Sequence, residues 1–468
     1  MTDPVALDHD AVPPERGVFA NRTLNLRTVP VVGYDMDYTL IHYREAEWEG
    51  AVFEHARAAL AERGLPVDGL TFDPNEFTVG LVFDLEAGNV LKATRFGYVV
   101  RARHGADLLS YDQMRDAYRG TIVELSSERF VFMNTLFELS RASLFCQLIA
   151  EYDQRPLRGI RSYADVYRAV DEALSVAHLG GALKAAIVAD KERFVEPDPD
   201  MVPTLQEQRL AGKKLALITN SDWAYTREMM PWCVDRFMPE GDTWRSLFDL
   251  VIVSANKPRF FTGNDPIYRV VDEDESLLLP HYGPLEPGHV YFGGNARLVE
   301  DTFDLHGGQA LYVGDHLFGD VHVTKDELSW RTALIARELE REVSDAVDFA
   351  AQQAELEALM GEKTELDRRH ARLRLARRTE GGSAVNDALH RATAEATALD
   401  ERIAPLAKAA SELGNATWGP LMRAGNDKSL FARQVERYAD VYTSRVSNFR
   451  PETPFAYLRA ARGSLPHD

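Results

Sequence analysis

Two aspartates one residue apart stand in the run Asp35-Met36-Asp37-Tyr38-Thr39-Leu40. Carboxylates at that spacing can divide the work of a transfer reaction, one attacking as nucleophile and the other moving a proton. An Asp-x-Asp pair also occurs in ordinary turns, so it acquires meaning only beside the other groups such chemistry needs. Three further clusters offer them. Thr219-Asn220-Ser221 carries hydroxyls, an amide and consecutive backbone N–H groups, which suit phosphate oxygens and equally suit the N-cap of a helix. Lys257, followed by Pro258, offers a point charge for a phosphate, although most lysines are simply solvated. Gly314-Asp315-His316-Leu317-Phe318-Gly319-Asp320 places two acids in a glycine-punctuated turn; oxygen donors of this kind fit a hard cation such as Mg²⁺, or a plain turn.

The elements that must position these groups are legible as apolar runs. Val29-Pro30-Val31-Val32-Gly33-Tyr34 ends at Asp35, Leu215-Ala216-Leu217-Ile218 ends at Thr219, Leu250-Val251-Ile252-Val253 precedes Lys257, and Ala310-Leu311-Tyr312-Val313 ends at the last cluster. Val290-Tyr291-Phe292 is a fifth run. Such runs read as buried strands of a parallel sheet, and their alternation with helical stretches predicts an α/β fold. Open sheets of that kind place their sites beyond the carboxyl ends of the strands, where the four clusters stand.

Between Asp37 and Thr219 lies a long insert. Residues 46–65 read as a helix with Phe53, Ala56, Leu60 and Ala61 on one face and Gly64 as the stop. Leu81-Val82-Phe83 and Val90-Leu91, about a turn at Gly88-Asn89, read as a hairpin, and residues 130–190 as mostly helical. Farther on, Leu359, Leu366 and Leu373 repeat by heptads beside Leu356, and Leu399, Ile403 and Leu406 follow Gly381-Gly382-Ser383, which predicts a long helical hairpin turning at the glycines. Its basic run, Arg368-Arg369-His370-Ala371-Arg372, reads as a solvated face paired with glutamates rather than a nucleic-acid patch. The expected divisions are a poorly ordered arm over 1–20, a Rossmann-like core over 21–48 and 186–335, a mostly helical cap over 49–185, the hairpin over 336–410, and a C-terminal segment over 411–468 that packs back on the core.

The 468 residues exceed one ordinary core, and 45% apolar with 27% charged residues is the balance of a globular protein. A formal net charge of -20 argues against broad binding to nucleic acid or anionic membrane, but one local cation cluster can still hold a small anion. Cys146 and Cys233 lack metal-ligand or scaffold spacing. No apolar run has the length of a membrane span, and the N-terminus lacks the basic start and apolar stretch of a signal peptide. A cytoplasmic location is the expectation.

Taken in order, the four clusters resemble those of the haloacid dehalogenase-like phosphatases. The likeness is most specific to the cytosolic purine (IMP/GMP-specific) 5'-nucleotidase family, through Asp35 to Leu40, Thr219 to Asp222, Lys257-Pro258 and Gly314 to Asp320. Phe19-Ala20-Asn21-Arg22, Gly80 to Asp84, Asn134-Thr135-Leu136-Phe137 and Ser429 to Asp440 extend the resemblance from about residue 17 to near the C-terminus. It implies Asp35 as nucleophile, Asp37 as the group that protonates the leaving oxygen and then activates water, and Mg²⁺ held by Asp35, Asp315 and the Asp37 carbonyl. It further implies Asp320 as the orienter of metal waters and Lys257, and Thr219, Asn220 and Lys257 as the phosphate cradle. From the cap, Phe137 and His178 match the groups that stack the base, Lys184 a substrate-contacting lysine, and Asp171, loosely, the acid that reads a 6-oxopurine, with Arg168 or Tyr167 near the matching arginine. The implied substrate is a nucleoside 5'-monophosphate, and the implied assembly a dimer or tetramer. A sugar-phosphate phosphatase of the same superfamily, or a non-catalytic binding protein, are the alternatives.

Two departures from the family pattern bear on specificity and control. Between Asp171 and His178 the chain is longer than the pattern. Where vertebrate-type members carry basic residues for a regulatory nucleotide phosphate, it has Glu124 and Asp326, so weak or absent activation by ATP is expected.

Overall fold

The computed structural model describes residues 12–179, 181–379 and 381–463, with the side chains of His178 and Leu179 outside that description. The chain forms two compact units, Met1–Glu340 with Leu421–Asp468, and Arg341–Pro420.

The larger unit is built on a mixed sheet. Its strands run in the order Phe19–Ala20, Val441–Thr443, Arg331–Ile335, Ala310–Gly314, Val31–Tyr34, Lys214–Ile218, Leu250–Val253, Val290–Gly293, Ile267–Asp272 and Leu277–Pro280. From Val441–Thr443 to Val290–Gly293 every neighbour is parallel, and the strands at both margins are antiparallel. The central strands are short, continuous apolar runs because helices cover both faces; Val31–Tyr34 and Leu250–Val253 are buried at every residue. Gly33 has a specific part. A Cβ there would lie 2.8 Å from the Tyr312 ring, so its absence lets Tyr312 pack on the central strand and send its hydroxyl to the Ile218 carbonyl at 2.9 Å. Around it Ile218, Ile252, Phe261, Tyr291 and Trp330 form a core cluster.

All five expected strands are present, and the sheet is larger than the sequence reading gave. Arg331–Ile335 and Val441–Thr443 extend it on one side. The C-terminal segment therefore supplies a strand of the main sheet. It is anchored by Asp440, which is fully buried and bonded to Lys325 at 2.6 Å and to the Thr332 N–H at 3.0 Å. Within the segment expected as an arm, Phe19 stacks on Tyr442 at 5.3 Å, and Arg16 donates to Ser447 at 2.8 Å.

The insert joins its helices to a sheet that the sequence reading gave only in part, as one hairpin. Beside the helices Glu45–Glu62, Leu139–Gln154 and Tyr163–Leu179 it carries an antiparallel sheet in the order Asp107–Leu108, Val99–His104, Asn89–Ala93, Val82–Asp84 and Phe130–Phe132. The expected hairpin, Val82–Asp84 with Asn89–Ala93, is its centre. Its neighbours escaped notice because Val99–His104 is only half-buried and arginine-bearing, without a clean apolar face. Phe83 from this sheet meets Phe145 and Tyr167 from the helices at 5.3 and 5.2 Å.

The smaller unit is the helical hairpin, Ala350–Thr379 and Ser383–Glu412. Leu359, Leu366, Ala392, Leu399 and Ile403 form its buried seam, with Leu356, Leu373, Ala396 and Leu406 against it. Its basic run pairs with acids as expected, Arg368 with Glu365 and Arg369 with Glu395. Among the described residues no single helix is long and apolar enough to cross a membrane.

Candidate active site

The four clusters meet at the carboxyl edge of the parallel strands. Asp35 directly follows Val31–Tyr34, and its N–H continues the ladder to the Val313 carbonyl at 2.9 Å. One carboxylate oxygen accepts from the Met36 N–H at 2.8 Å and lies 2.8 Å from Lys257 Nζ. The same ammonium lies 2.8 Å from Asp320 and donates to the Tyr312 hydroxyl at 3.0 Å. Although burial alone would lower its pKa, Asp320 and Asp35 hold the Lys257 ammonium well above the usual lysine range. Burial, partly offset by Lys257, pushes Asp35 up to about 6.

Asp315 completes an acidic group. Carboxylate oxygens of Asp35, Asp315 and Asp320 lie within 4.8 Å of one another, and all three residues are buried. Burial and then the neighbouring Asp35 and Asp320 charges raise Asp315 well above the carboxylate range. Three acids cannot all be ionised at that separation around one lysine without further positive charge. The donors are all oxygen, which fits Mg²⁺ better than a softer metal. The turn that carries the acids is tight: a Cβ on Gly314 would lie 2.5 Å from Asp320. Burial pulls the His316 imidazole down to about 4, so it is neutral, and its Nδ1 accepts from the Gly319 N–H at 2.7 Å. Asp320 accepts from the His316 N–H at 3.2 Å.

Asp37 is held by two hydroxyls. Tyr43 donates to one oxygen at 2.5 Å and Ser221 to the other at 2.7 Å. Behind Tyr43 the Tyr225 hydroxyl lies 2.9 Å away. Burial, then the Asp35 charge, raises the Asp37 pKa, the direction wanted of a group that must hold a proton near neutrality.

The loops after Lys214–Ile218 and Leu250–Val253 are zipped together. Ser254 N–H bonds the Ser221 carbonyl and Ala255 N–H the Thr219 carbonyl, both at 2.9 Å. Asn220 uses its side chain here: its Oδ1 accepts from the Lys257 N–H at 2.6 Å and its Nδ2 donates to the Lys257 carbonyl at 3.1 Å. Asn220 therefore fixes the lysine loop. The Thr219 hydroxyl is fully buried and accepts from the Ser221 N–H at 3.0 Å. The N-cap of the Trp223–Val234 helix is Asp222, which accepts from the Tyr225 N–H at 2.8 Å, so the helix-cap reading of Asn220 or Ser221 does not hold.

The insert reaches this edge through the turn before Leu139–Gln154. Thr135 donates to Asp315 at 3.1 Å. Two residues on, Phe137 is half-buried and meets Tyr38 edge-on at 4.7 Å and Trp48 at 5.6 Å, which places the expected aromatic beside the tyrosine that follows Asp37. Lys184 bonds Asp222 at 2.8 Å and stands 5.0 Å from the Tyr225 ring. The His178 side chain lies outside the described residues. Asp171 pairs with Arg141 at 2.8 Å, and Arg141 also holds Glu138 at 2.6 Å and the Tyr167 hydroxyl at 3.2 Å. Arg168 is outside this cluster, on the surface with Asp165. The cation that meets Asp171 is thus Arg141, which the sequence reading missed along with the contacts of Tyr43 and Thr135. Its one legible sign was adjacency to the Asn134 to Phe137 motif. Glu124, expected to repel a regulatory polyphosphate, lines an open groove of about 900 Å³ with Phe96, Phe318, Arg433 and Arg437, and Asp326 bonds His322 at 3.0 Å. Both signs of charge meet there.

A sheet with its acids and lysine at the carboxyl edge defines an α/β protein built for phosphoryl chemistry. Comparison with known proteins agrees: residues 18–468 match the 5' nucleotidase family, and the chain belongs to that family. It is therefore a phosphoric monoester hydrolase by class. Among similar proteins is the 5'-nucleotidase domain-containing protein 2 of Rattus norvegicus, 29% identical over 471 residues, covering 94% of this chain and 79% of the relative. The protein of the same name from Homo sapiens is 28% identical, over 98% of this chain and 88% of the relative. A 5'-nucleotidase domain-containing protein of Dictyostelium discoideum is 26% identical, over 99% of this chain and 77% of its own length.

Proposed function

We propose that this chain hydrolyses purine nucleoside 5'-monophosphates through a phospho-aspartate on Asp35, as a haloacid dehalogenase-like phosphatase. The observation that carries the reading is the Lys257 ammonium fixed at 2.8 Å from both Asp35 and Asp320, with Asp315 close by, at the carboxyl edge of parallel strands. Asp35, Asp315 and the Asp37 carbonyl would hold Mg²⁺, with Asp320 orienting its waters; the ion would screen nucleophile from substrate and draw charge from the phosphoryl oxygens. A free Asp35 oxygen attacks phosphorus in line while Asp37 gives its proton to the departing 5'-oxygen, so the P–O bond breaks as the Asp35–P bond forms. Asp37, now ionised, takes a proton from water; the water oxygen attacks phosphorus, and inorganic phosphate leaves with Asp35 regenerated. Lys257 and Thr219 neutralise and orient the phosphoryl oxygens during both transfers, and Asn220 holds Lys257 in place. A nucleoside hydroxyl in place of water would give phosphotransfer.

Residues 49–185 act as the cap in this reading. Phe137 stacks the base with His178, Lys184 faces the substrate, and Asp171 with Arg141 reads the ring edge. The family match supports a nucleotide, and the placement of Phe137 beside Tyr38 supports a planar base near the phosphate site. The experiment is phosphate release from a panel of nucleoside monophosphates and sugar phosphates, in Mg²⁺ and in EDTA, by wild type and Asp35→Asn. Release from IMP or GMP, abolished by EDTA and by the substitution, is expected. Activity on sugar phosphates alone would discard the substrate while keeping the mechanism, and no activity on any ester would discard both.

A further inference from the structure

In the proposed reaction Asp37 hands over a proton, and a transfer of that kind depends on aim. The chain around Asp37 is built to supply it. Directly after Asp37 the backbone turns sharply. Tyr38 has φ 53, a left-handed conformation that residues with a Cβ seldom adopt, and the Leu40 and Ile41 N–H groups both bond the Met36 carbonyl at 2.9 Å. The turn feeds the strand His42–Tyr43, which pairs antiparallel with Val195–Glu196. Tyr43 is thereby returned to Asp37, six residues after it.

The two oxygens of Asp37 are held in different ways. Tyr43 is buried, with its ring on Trp48 at 4.2 Å and edge-on to Tyr38 at 5.2 Å. Its hydroxyl has a single proton, which is spent on Asp37 Oδ1 at 2.5 Å. The Tyr225 hydroxyl, 2.9 Å behind, therefore donates to Tyr43, and the two hydroxyls form a chain with one direction. Tyr225 is buried as well, on the helix Trp223–Val234, whose N-cap Asp222 is bonded by Lys184 at 2.8 Å. Oδ1 is thus tied through two packed rings to a helix. Oδ2 has only the Ser221 hydroxyl, at 2.7 Å. That hydroxyl sits on a short side chain and turns freely to another acceptor, and Ser221 lies on the loop of Thr219 and Asn220, the phosphate side of Asp37.

Given the phosphatase reading, on which this rests, we propose that Tyr43, backed by Tyr225, is the positioning residue of the proton donor: it anchors Asp37 Oδ1 and leaves Oδ2 to carry the proton that goes to the departing 5'-oxygen. As the P–O bond breaks, its electron pair stays on the 5'-oxygen, and the Oδ2 proton moves to that oxygen while Ser221 turns aside. Without the Tyr43 hydroxyl the carboxyl turns broadly about its Cβ–Cγ bond. Oδ2 is then aimed at the leaving oxygen for less of the time, and a misplacement of about 1 Å is enough to cost about a hundredfold in rate. A phenylalanine in place of Tyr43 keeps the ring on Trp48, so the loss is one of aim. A leaving group that departs without a proton makes no use of that aim, whereas a pair of tyrosines that served only the core would, once altered, slow every substrate alike.

The test compares a nucleoside 5'-monophosphate, IMP or GMP, with the 5'-phosphorothiolate of the same nucleoside, in which sulfur replaces the bridging 5'-oxygen and leaves as a thiolate without a proton. The quantity read is kcat/KM, which holds only the steps up to the phospho-aspartate, for wild type, Tyr43→Phe and Tyr225→Phe. Tyr43→Phe should lower the ratio of oxygen-ester to sulfur-ester kcat/KM about tenfold or more. Tyr225→Phe should lower it in the same direction and by less, since it loosens Tyr43 without freeing Asp37. Circular dichroism and urea midpoints check folding, and if only Tyr225→Phe folds, its ratio decides. A ratio that stays at the wild-type value, with both esters slowed alike or neither slowed, would overturn the positioning role and leave the phosphatase reading intact. A wild type that cleaves neither ester would overturn both.

Discussion

Lys257 is the residue on which the candidate site depends, because it is the cation bonded to both Asp35 and Asp320. Replacing it with methionine keeps the stem and removes the charge. Asp35 and Asp320 then face Asp315 with nothing between them, and a buried pair broken on one side costs about 3–5 kcal/mol. Lys257→Met in EDTA should therefore unfold at markedly lower urea concentration than wild type. Mg²⁺ should recover more stability in the variant than in wild type, because a cation among the acids replaces the missing charge, while phosphate release stays lost. Equal midpoints for variant and wild type in EDTA would show that the lysine does not hold the acids. Asp35, Asp37, Lys257, Asp315 and Asp320 were legible in the sequence because each follows an apolar run that only a sheet explains. Tyr43 and Arg141 were not, and Thr135 was only as a member of the Asn134 to Phe137 motif, since a single hydroxyl or guanidinium has no pattern until its side chain has a direction. Asn220 was legible as a site residue, but its use to clamp Lys257 depends on which way its amide faces.

At the scale of elements, the continuous apolar runs were found, Val290–Gly293 included, and the short or half-buried strands were missed. Val441–Thr443 is three residues long, too short for periodicity, and enters the sheet through Asp440. That carboxylate is fully buried, 2.6 Å from Lys325 and 3.4 Å from Arg331, and it also accepts the Thr332 N–H at 3.0 Å. It pins the last strand to the one before it. Asp440→Ala should cost about 3–5 kcal/mol in chemical denaturation, since it strands Lys325 and the Thr332 N–H together. Asp440→Leu combined with Lys325→Met should cost less than Asp440→Ala alone, because the Lys325 charge is then removed with its partner rather than left without it. A double variant worse than the single one would mean that the strand is held by packing, Phe19 on Tyr442 included, rather than by the acid. The outer strands of the insert's sheet were missed for a related reason: Val99–His104 is half-buried and carries arginines, Arg103 paired with Glu76 at 2.7 Å among them.

For the whole molecule, the buried acids set how stability follows pH. Glu49 is fully buried in the Glu45–Glu62 helix, with one oxygen accepting the Ser140 N–H at 2.8 Å and the other lacking a partner among the described residues. Burial lifts its pKa from 4.5 to about 7, and burial lifts Asp35 from 3.8 to about 6. In both cases the folded chain keeps a proton that the unfolded chain has released, so stability is fully present below the unfolded values and is lost as pH rises through the folded ones. For Glu49 the loss between pH 4.5 and 7 is about 3 kcal/mol. In EDTA the urea midpoint should fall from pH 5 to pH 8, and Glu49→Gln, which needs no proton to stay neutral, should flatten the part of that fall that belongs to Glu49. Mg²⁺ should flatten a different part, because a bound cation favours the ionised forms of Asp35 and Asp315 and so brings their folded values down. The two effects should add, since Glu49 bonds Ser140 in the insert and is not one of the clustered acids. A Glu49→Gln midpoint that falls as steeply as wild type would place the proton elsewhere, and a slope indifferent to Mg²⁺ would mean that the acidic group at the sheet edge does not bind the ion in the folded protein.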